Sequence, residues 1–231
     1  QEVSLDSRVE IDIWILKEAE KLQNEIIEDY SNYEFHLVYQ KILNFCTNEL
    51  GSFYLDILKD RLYTSKKSGI ARISAQATIK SLLDKLLLWI APILSFTAEE
   101  AFREFYKDKK SIFLESFSSA QEEISLTLDE ESWKVLNEIK IEANKLLEEK
   151  RNDGIIGSSL DAEVKIFCNS ETFLRLSPCI DELKFLLIVS DASLEVADDD
   201  GQSSISIEVK SSDKEKCDRC WHHTGKLKKI L

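Results

Sequence analysis

The chain has 231 residues, with 43 acidic against 30 basic side chains for a formal net charge of −13, 43% hydrophobic residues, 6 Gly, 2 Pro, 5 Cys and no Met. The apolar fraction supplies a core and excludes intrinsic disorder as the main state, while so few Gly and Pro leave too little turn chemistry for a many-stranded sandwich or barrel. The acidity argues against a generic binder of nucleic acid or anionic membrane, because like charge repels phosphate at long range.

Over residues 11–30, Ile11, Ile15, Ala19, Leu22, Ile26 and Tyr30 keep one face of a helix inward. A second helix carries Phe35, Val38, Tyr39, Ile42, Phe45, Cys46 and Leu50, and Gly51 marks a break before Leu55, Leu58 and Leu62 resume the pattern. Residues 73–90 form the longest stretch, apolar almost all round in its second half, which predicts the most buried helix. Pro92 interrupts it, and Thr97-Ala98-Glu99-Glu100 has the form of a capping box opening the next helix. A polar connector over 116–129 leads to a helix through Leu136, Ile139, Ala143, Leu146 and Leu147, ending near Arg151 with Asn152-Asp153-Gly154 as its stop. Short apolar runs at 163–168 and 185–189, and the alternation of Ile205, Ile207 and Val209, predict strands flanking a helix over 170–183. The last segment, 214–231, is too short to own a core and needs a metal or a neighbour to be ordered. The expected division is a helical domain over 1–155, an α+β unit over 156–213 and a tail over 214–231.

Charge is unevenly spread over these stretches. Residues 1–115 carry 15 basic and 19 acidic side chains, residues 116–213 carry 9 and 22, and the tail carries 6 and 2. Most of the acid lies in the middle. No run reaches the roughly 18 apolar residues of a membrane span, and residues 1–20 lack a cationic start followed by an apolar stretch. Five cysteines, an odd number without a secretion signal, point to a reducing compartment with cytosol as the default. The absence of Met reads as a piece of a longer protein.

Two constellations carry chemistry. Lys59, Arg61, Lys66, Lys67 and Arg72 surround an inter-helix turn at 65–69 beside Tyr63, a combination suited to an RNA loop whose phosphates pair with cations and whose bases stack on rings. On charge alone an ordinary solvated turn is favoured, since exposed Lys and Arg are common. Cys217-Asp218-Arg219-Cys220 is a C-x-x-C knuckle, which offers two thiolates to a tetrahedral Zn²⁺. His222 or His223 is a candidate for a third ligand, although each lies so close that strain is expected, and an empty half site is the plain alternative. Cys46 and Cys168 read as small hydrophobes, Cys179 has no specific role, and His36 has no evident partner. No phosphate loop, G-x-G-x-x-G or G-x-S-x-G occurs. Nothing looks catalytic.

The runs Y-L-D-I-L-K-D-R-L-Y at 54–63, S-A-Q at 74–76 and W-I-A-P-I-L-S-F-T-A-E-E at 89–100 resemble the anticodon-binding helical domain of the isoleucyl-tRNA synthetases. N-Y-E-F-H at 32–36, N-F-C at 44–46, E-E-K-R-N-D-G-I-I-G-S-S-L-D-A-E-V at 148–164 and K-C-D-R-C-W-H at 216–222 agree with it. The resemblance implies a mainly α fold: an anticodon-binding helix bundle, a small α+β junction domain and a partial zinc-knuckle tail. It implies a cytoplasmic, monomeric parent ligase that joins isoleucine to its tRNA with ATP and magnesium, using H-I-G-H and K-M-S-K-S type motifs that are absent from this chain. The implied partner is tRNA, with no DNA and no membrane, and the implied catalytic residues within this chain are none. Lys59, Arg61, Lys66, Lys67 and Arg72 become contributors to tRNA binding, with Arg219 and Trp221 as secondary candidates. Asp60 either orients one of the neighbouring cations or pairs on the surface. The plain reading of Trp221 is that it packs the tail onto the α+β unit. Zinc is implied at Cys217 and Cys220, but the family's second cysteine pair is missing. A related valine or methionine enzyme, or a non-enzymatic helical interaction module, remains an alternative.

Overall fold

A computed structural model describes residues 8–117, 128–197, 205–218 and 220–225, without the side chain of Asp60. The chain divides into two compact units, Gln1–Leu126 and Thr127–Leu231. The division falls earlier than the expected boundary at 155, because the helix before that point packs with the sheet.

The first unit is helical. In α1 (Glu10–Ser31) the predicted stripe is inward, with Ile11, Ile15, Ala19 and Ile26 buried. It packs on α4 (Ile70–Ile90), whose residues 81–90 are all buried or half-buried, but the expectation that this is the most buried helix is corrected: α1 has ten buried residues and α4 six. Tyr30 at the end of the stripe donates to the Trp89 carbonyl at 2.6 Å, and the Trp89 indole donates to Gln23 Oε1 at 3.3 Å. Burial pushes the Tyr30 hydroxyl up to about 12.

The second predicted helix differs from expectation at Gly51. The chain stays helical from 35 to 64, as α2 (Phe35–Phe45), a π-helical segment (Cys46–Tyr54) and α3 (Leu55–Thr64). A Cβ on Gly51 would lie 2.8 Å from the Cys46 carbonyl oxygen. Glycine serves here to let one turn of backbone approach the next, and the helix does not stop. Helix propensity alone makes Gly51→Ala stabilising by about 1 kcal/mol. The clash is with backbone and cannot relax cheaply, so a net loss of roughly 1–3 kcal/mol is expected. A thermal midpoint that rises in this variant would contradict that account.

After Pro92, α5 begins at Ser95 and runs to Phe105, two residues before the predicted box, so Thr97 does not cap it. Glu99 points forward instead, accepting from Ser111 Oγ at 2.9 Å, Ile112 N at 3.0 Å and Arg103 Nε at 2.7 Å. These bonds, the Ile112 amide first, hold its carboxyl below the usual range. They tie a 3₁₀ turn (Ile112–Leu114) onto α5, where Ile112 closes a small core with Leu87, Ala91, Ala98 and Phe102.

The second unit begins with α6 (Glu130–Asn152), capped by Asp129, whose side chain accepts from Ser132 N at 2.8 Å. It ends at the predicted stop, with Gly154 at φ 71°. Residues 118–127, most of the predicted connector, lie outside the described residues. The sheet has the order β2-β1-β3, with β1 (Ala162–Cys168) central, parallel to β2 (Asp191–Val196) and antiparallel to β3 (Ser206–Ser211). Between β1 and β2 run α7 (Ser170–Leu176), a 3₁₀ segment (Ser177–Glu182) and α8 (Leu183–Leu186). The strand expected at 185–189 is therefore not a strand. That run buries Leu186, Leu187 and Val189 as the close of the crossover, and a short apolar run without alternation does not distinguish the two states.

Candidate nucleic-acid interface

The basic turn forms where expected. α3 ends at Thr64, Ser65 is extended, and Gly69 caps α4, with Gly69 N donating to the Lys66 carbonyl at 2.9 Å and Arg72 N to the Gly69 carbonyl at 3.0 Å. This tight loop leaves Lys66, Lys67 and Ser68 exposed and Arg72 half-buried. None of Lys66, Lys67 and Arg72 forms an ion pair with a described carboxylate, whereas Lys59 pairs with Asp56 at 3.0 Å on the α3 surface. Tyr63, 79% exposed, and Ile70, 68% exposed, stand beside the cations. A ring left in water next to unpaired lysines has the composition of a stacking and phosphate-pairing surface.

Arg61 is corrected. It is 1% exposed and faces the core, donating from its two terminal nitrogens to Asp12 Oδ1 at 3.0 Å and Oδ2 at 2.8 Å, and to the Ala71 carbonyl at 2.7 Å. Asp12 is fully buried and also accepts from Tyr54 Oη at 2.8 Å and from Ser74 Oγ. Burial, reinforced by the Asp12 charge, holds the Tyr54 hydroxyl far above its usual value. A guanidinium already bidentate on a buried carboxylate has no fork left for phosphate. The signal was present in the sequence: Tyr54, Leu58 and Arg61 lie on one helical face, and Asp12 sits between Ile11 and Ile13. Charge counting assigned Arg61 to the surface because isolated cations belong there, whereas a paired one can be buried.

In the second unit the described residues of the tail are paired as in a hairpin. Lys216 and His223 form an antiparallel bridge, Cys217 N donates to the His222 carbonyl at 2.9 Å, and Trp221 N donates to the Cys217 carbonyl at 2.8 Å. The neighbour that orders it is Asp161. Its Oδ1 receives Lys216 Nζ at 2.7 Å and faces His223 Nε2 at 3.2 Å, and its Oδ2 receives Ser158 N at 2.8 Å and Gly157 N at 3.2 Å. Lys216 above all, with these other donors, holds the Asp161 carboxyl well below the usual range. Trp221 is 63% exposed at φ 61°, so most of its ring does not pack the tail onto the sheet unit. Arg219 lies outside the described residues.

Cys217 and Cys220 are both half-buried, and neither is in a disulfide. His223 does not join them as a ligand, because its Nδ1 lies 2.7 Å from the Lys214 carbonyl oxygen while Nε2 faces Asp161. Among the described residues no group of three or more His, Cys, Asp or Glu is disposed to hold a metal ion. Two thiols do not close a tetrahedral site, so the described residues do not fit a complete zinc centre. Among them, too, no helix is long and apolar enough to cross a membrane.

A family profile described as the anticodon-binding domain of tRNA ligase matches residues 12–166. A curated protein of Shewanella baltica named isoleucine–tRNA ligase is 40% identical over 96% of this chain and 25% of its own length. One of the same name from Idiomarina loihiensis is 41% identical over 96% of the chain and 24% of its own length. The chain spans about a quarter of the length of these relatives. The profile takes in both the basic turn and α6, and it ends within β1.

Proposed function

The chain belongs to the family of anticodon-binding domains of tRNA ligases, and from that premise we propose that it is the tRNA-reading part of an isoleucine–tRNA ligase. The observation that carries the reading is identity of about 40% to isoleucine–tRNA ligases across nearly the whole chain. In this reading the parent enzyme is a cytoplasmic monomer, and isoleucine activation with ATP and magnesium is the work of sequence other than these residues. This chain binds and orients the nucleic acid. The anticodon loop is single-stranded, with splayed bases and closely spaced phosphates. Lys66, Lys67 and Arg72 supply cations to the phosphates, Lys59 adds a weaker contribution because Asp56 already engages it, and Tyr63 offers a face to an unstacked base.

The test is competition binding of the chain with purified tRNAs for isoleucine, valine and methionine, and with an isoleucine tRNA carrying a transplanted anticodon loop. Preference for the isoleucine tRNA that is lost with its loop is the expected result. A preference for the valine or methionine tRNA would move the chain to a related ligase, and no tRNA binding at low salt would reject the reading.

A further inference from the structure

We propose that Asp12 and Arg61 are positioning residues for RNA binding: from the core they fix the register of α3 against α4, and with it the placement of Tyr63, Lys66 and Lys67 around the connecting turn. The RNA part of this proposal rests on the proposed function.

Arg61 closes the turn from both sides. Its carbonyl accepts from Ser65 N at 3.4 Å, where α3 ends, and its guanidinium donates to the Ala71 carbonyl at 2.7 Å, in the first turn of α4. Tyr63, Lys66 and Lys67 all lie between these two bonds. The guanidinium is itself fixed in direction, because Asp12 on α1 holds both terminal nitrogens at 3.0 and 2.8 Å, and Tyr54 Oη donates to the same carboxylate at 2.8 Å. Asp12 is also tied to α4: Ser74 Oγ donates to its Oδ2 and accepts from Val9 N at 3.1 Å. One turn further along, Arg8 Nη1 donates to Thr78 Oγ1 at 3.3 Å. The start of α1, the end of α3 and the start of α4 thus meet on one buried ion pair.

Directional bonds do here what apolar packing does not. Burial of apolar surface is non-directional, whereas a forked, charge-assisted pair has one geometry and so selects one register of the helices it joins. The short turn over 65–69 transmits that register to its lysines, since its ends are the helix ends themselves. Net stability is a poor reason for such a junction, because desolvation of two buried charges offsets most of their attraction and an apolar set of similar volume serves as well. Fixed placement is what a binding surface requires, where contacting groups are held to within about 0.5 Å by residues locked behind them.

Binding of isoleucine tRNA by the whole chain carrying Arg61→Met with Asp12→Leu tests the proposal. Each preparation's active fraction is first fixed by stoichiometric titration, so that unfolded molecules do not count. This double variant keeps an apolar filling of the site and loses the directional bonds; Arg61→Ala is unsuited, because lost folding and lost positioning coincide there. Kd should rise about fivefold or more, and the slope of log affinity against log salt should fall toward that of Lys66→Ala with Lys67→Ala, although both altered residues are buried. Combining the two double variants should weaken binding little beyond the lysine pair alone. Ser74→Ala, an uncharged change that frees Asp12 from α4, should act in the same direction and carries the test if the double variant does not fold. Unaltered affinity and slope in the folded variants, or losses that add in full to those of the lysine pair, overturn the positioning role. Amide NMR shifts read the turn without RNA: those of 66–70 should move in both variants, while those of 93–98, past the other end of α4, hold. Unmoved turn shifts overturn the proposal as well. If the unaltered chain binds no tRNA, the functional reading fails, and the shifts still decide whether the pair sets the turn.

Discussion

Replacing Arg61 with alanine should cost the helical unit roughly 3–5 kcal/mol, the range for breaking a buried ion pair by removing one partner. The loss comes from the far side of the pair. Asp12 would lose its counter-charge in a site where it is fully buried, with Tyr54 and Ser74 the side chains still donating to it among the described residues. The attraction between the two ions matters less than the desolvation that one ion then bears alone. Arg61→Met combined with Asp12→Leu removes both charges and should recover most of the loss, since apolar replacement of a whole buried pair is often close to neutral. Urea unfolding followed by amide hydrogen exchange in α1 and α4, the helices of this unit, reads both variants. A loss under about 1 kcal/mol in the single variant, well below the range for such a pair, would sink this account. Weaker tRNA binding by Arg61→Ala would report unfolding, because the guanidinium has no exposed surface to offer.

The second large effect belongs to the turn. Tyr63→Ala should weaken tRNA binding by about 1–3 kcal/mol, roughly 5- to 150-fold in Kd, if its ring stacks on one loop base. The same substitution should leave stability within about 0.5 kcal/mol, because the ring is mostly in water. Lys66→Ala with Lys67→Ala acts differently. Each lysine that neutralises a phosphate adds about 0.7 to the slope of log affinity against log salt on a single strand, so the pair should lower it by about 1.4. Filter binding from low to moderate salt measures affinity and slope together. Unchanged affinity of both variants at low salt would remove this turn from the RNA surface. A lysine effect that persists undiminished at high salt would point to altered folding.

Helix identity was largely legible from periodicity. The stripe on α1 is inward as read, because an amphipathic helix has one way to bury its apolar face, whereas α4, apolar nearly all round in its second half, left its buried face to be set by packing, at Ala75, Thr78, Leu82 and Trp89 among others. The turn between α3 and α4 and the stop after α6 were equally local, set by Gly69 and Gly154. The misreadings share a cause. Gly51 looked like a break, Thr97 like a cap and 185–189 like a strand, and in each case the local signal was ambiguous until its neighbours were in place. Gly51 is explained by the Cys46 carbonyl it approaches, and Glu99 by the turn it holds.

The functional residues divide along the same line. Composition, motif runs and the cluster at 59–72 were enough to identify the family and the basic turn, because those properties reside in residue types and spacing. Which cations in that cluster reach solvent was decided by the fold: Arg61 turns inward because Asp12, 49 positions away in the chain, meets it in the core. Asp161 was inconspicuous among 43 acidic residues, and its importance comes from Lys216 and His223, which the sheet unit folds back onto it. Charge is written in the sequence, but its availability depends on desolvation and pairing, and only the packed chain sets those.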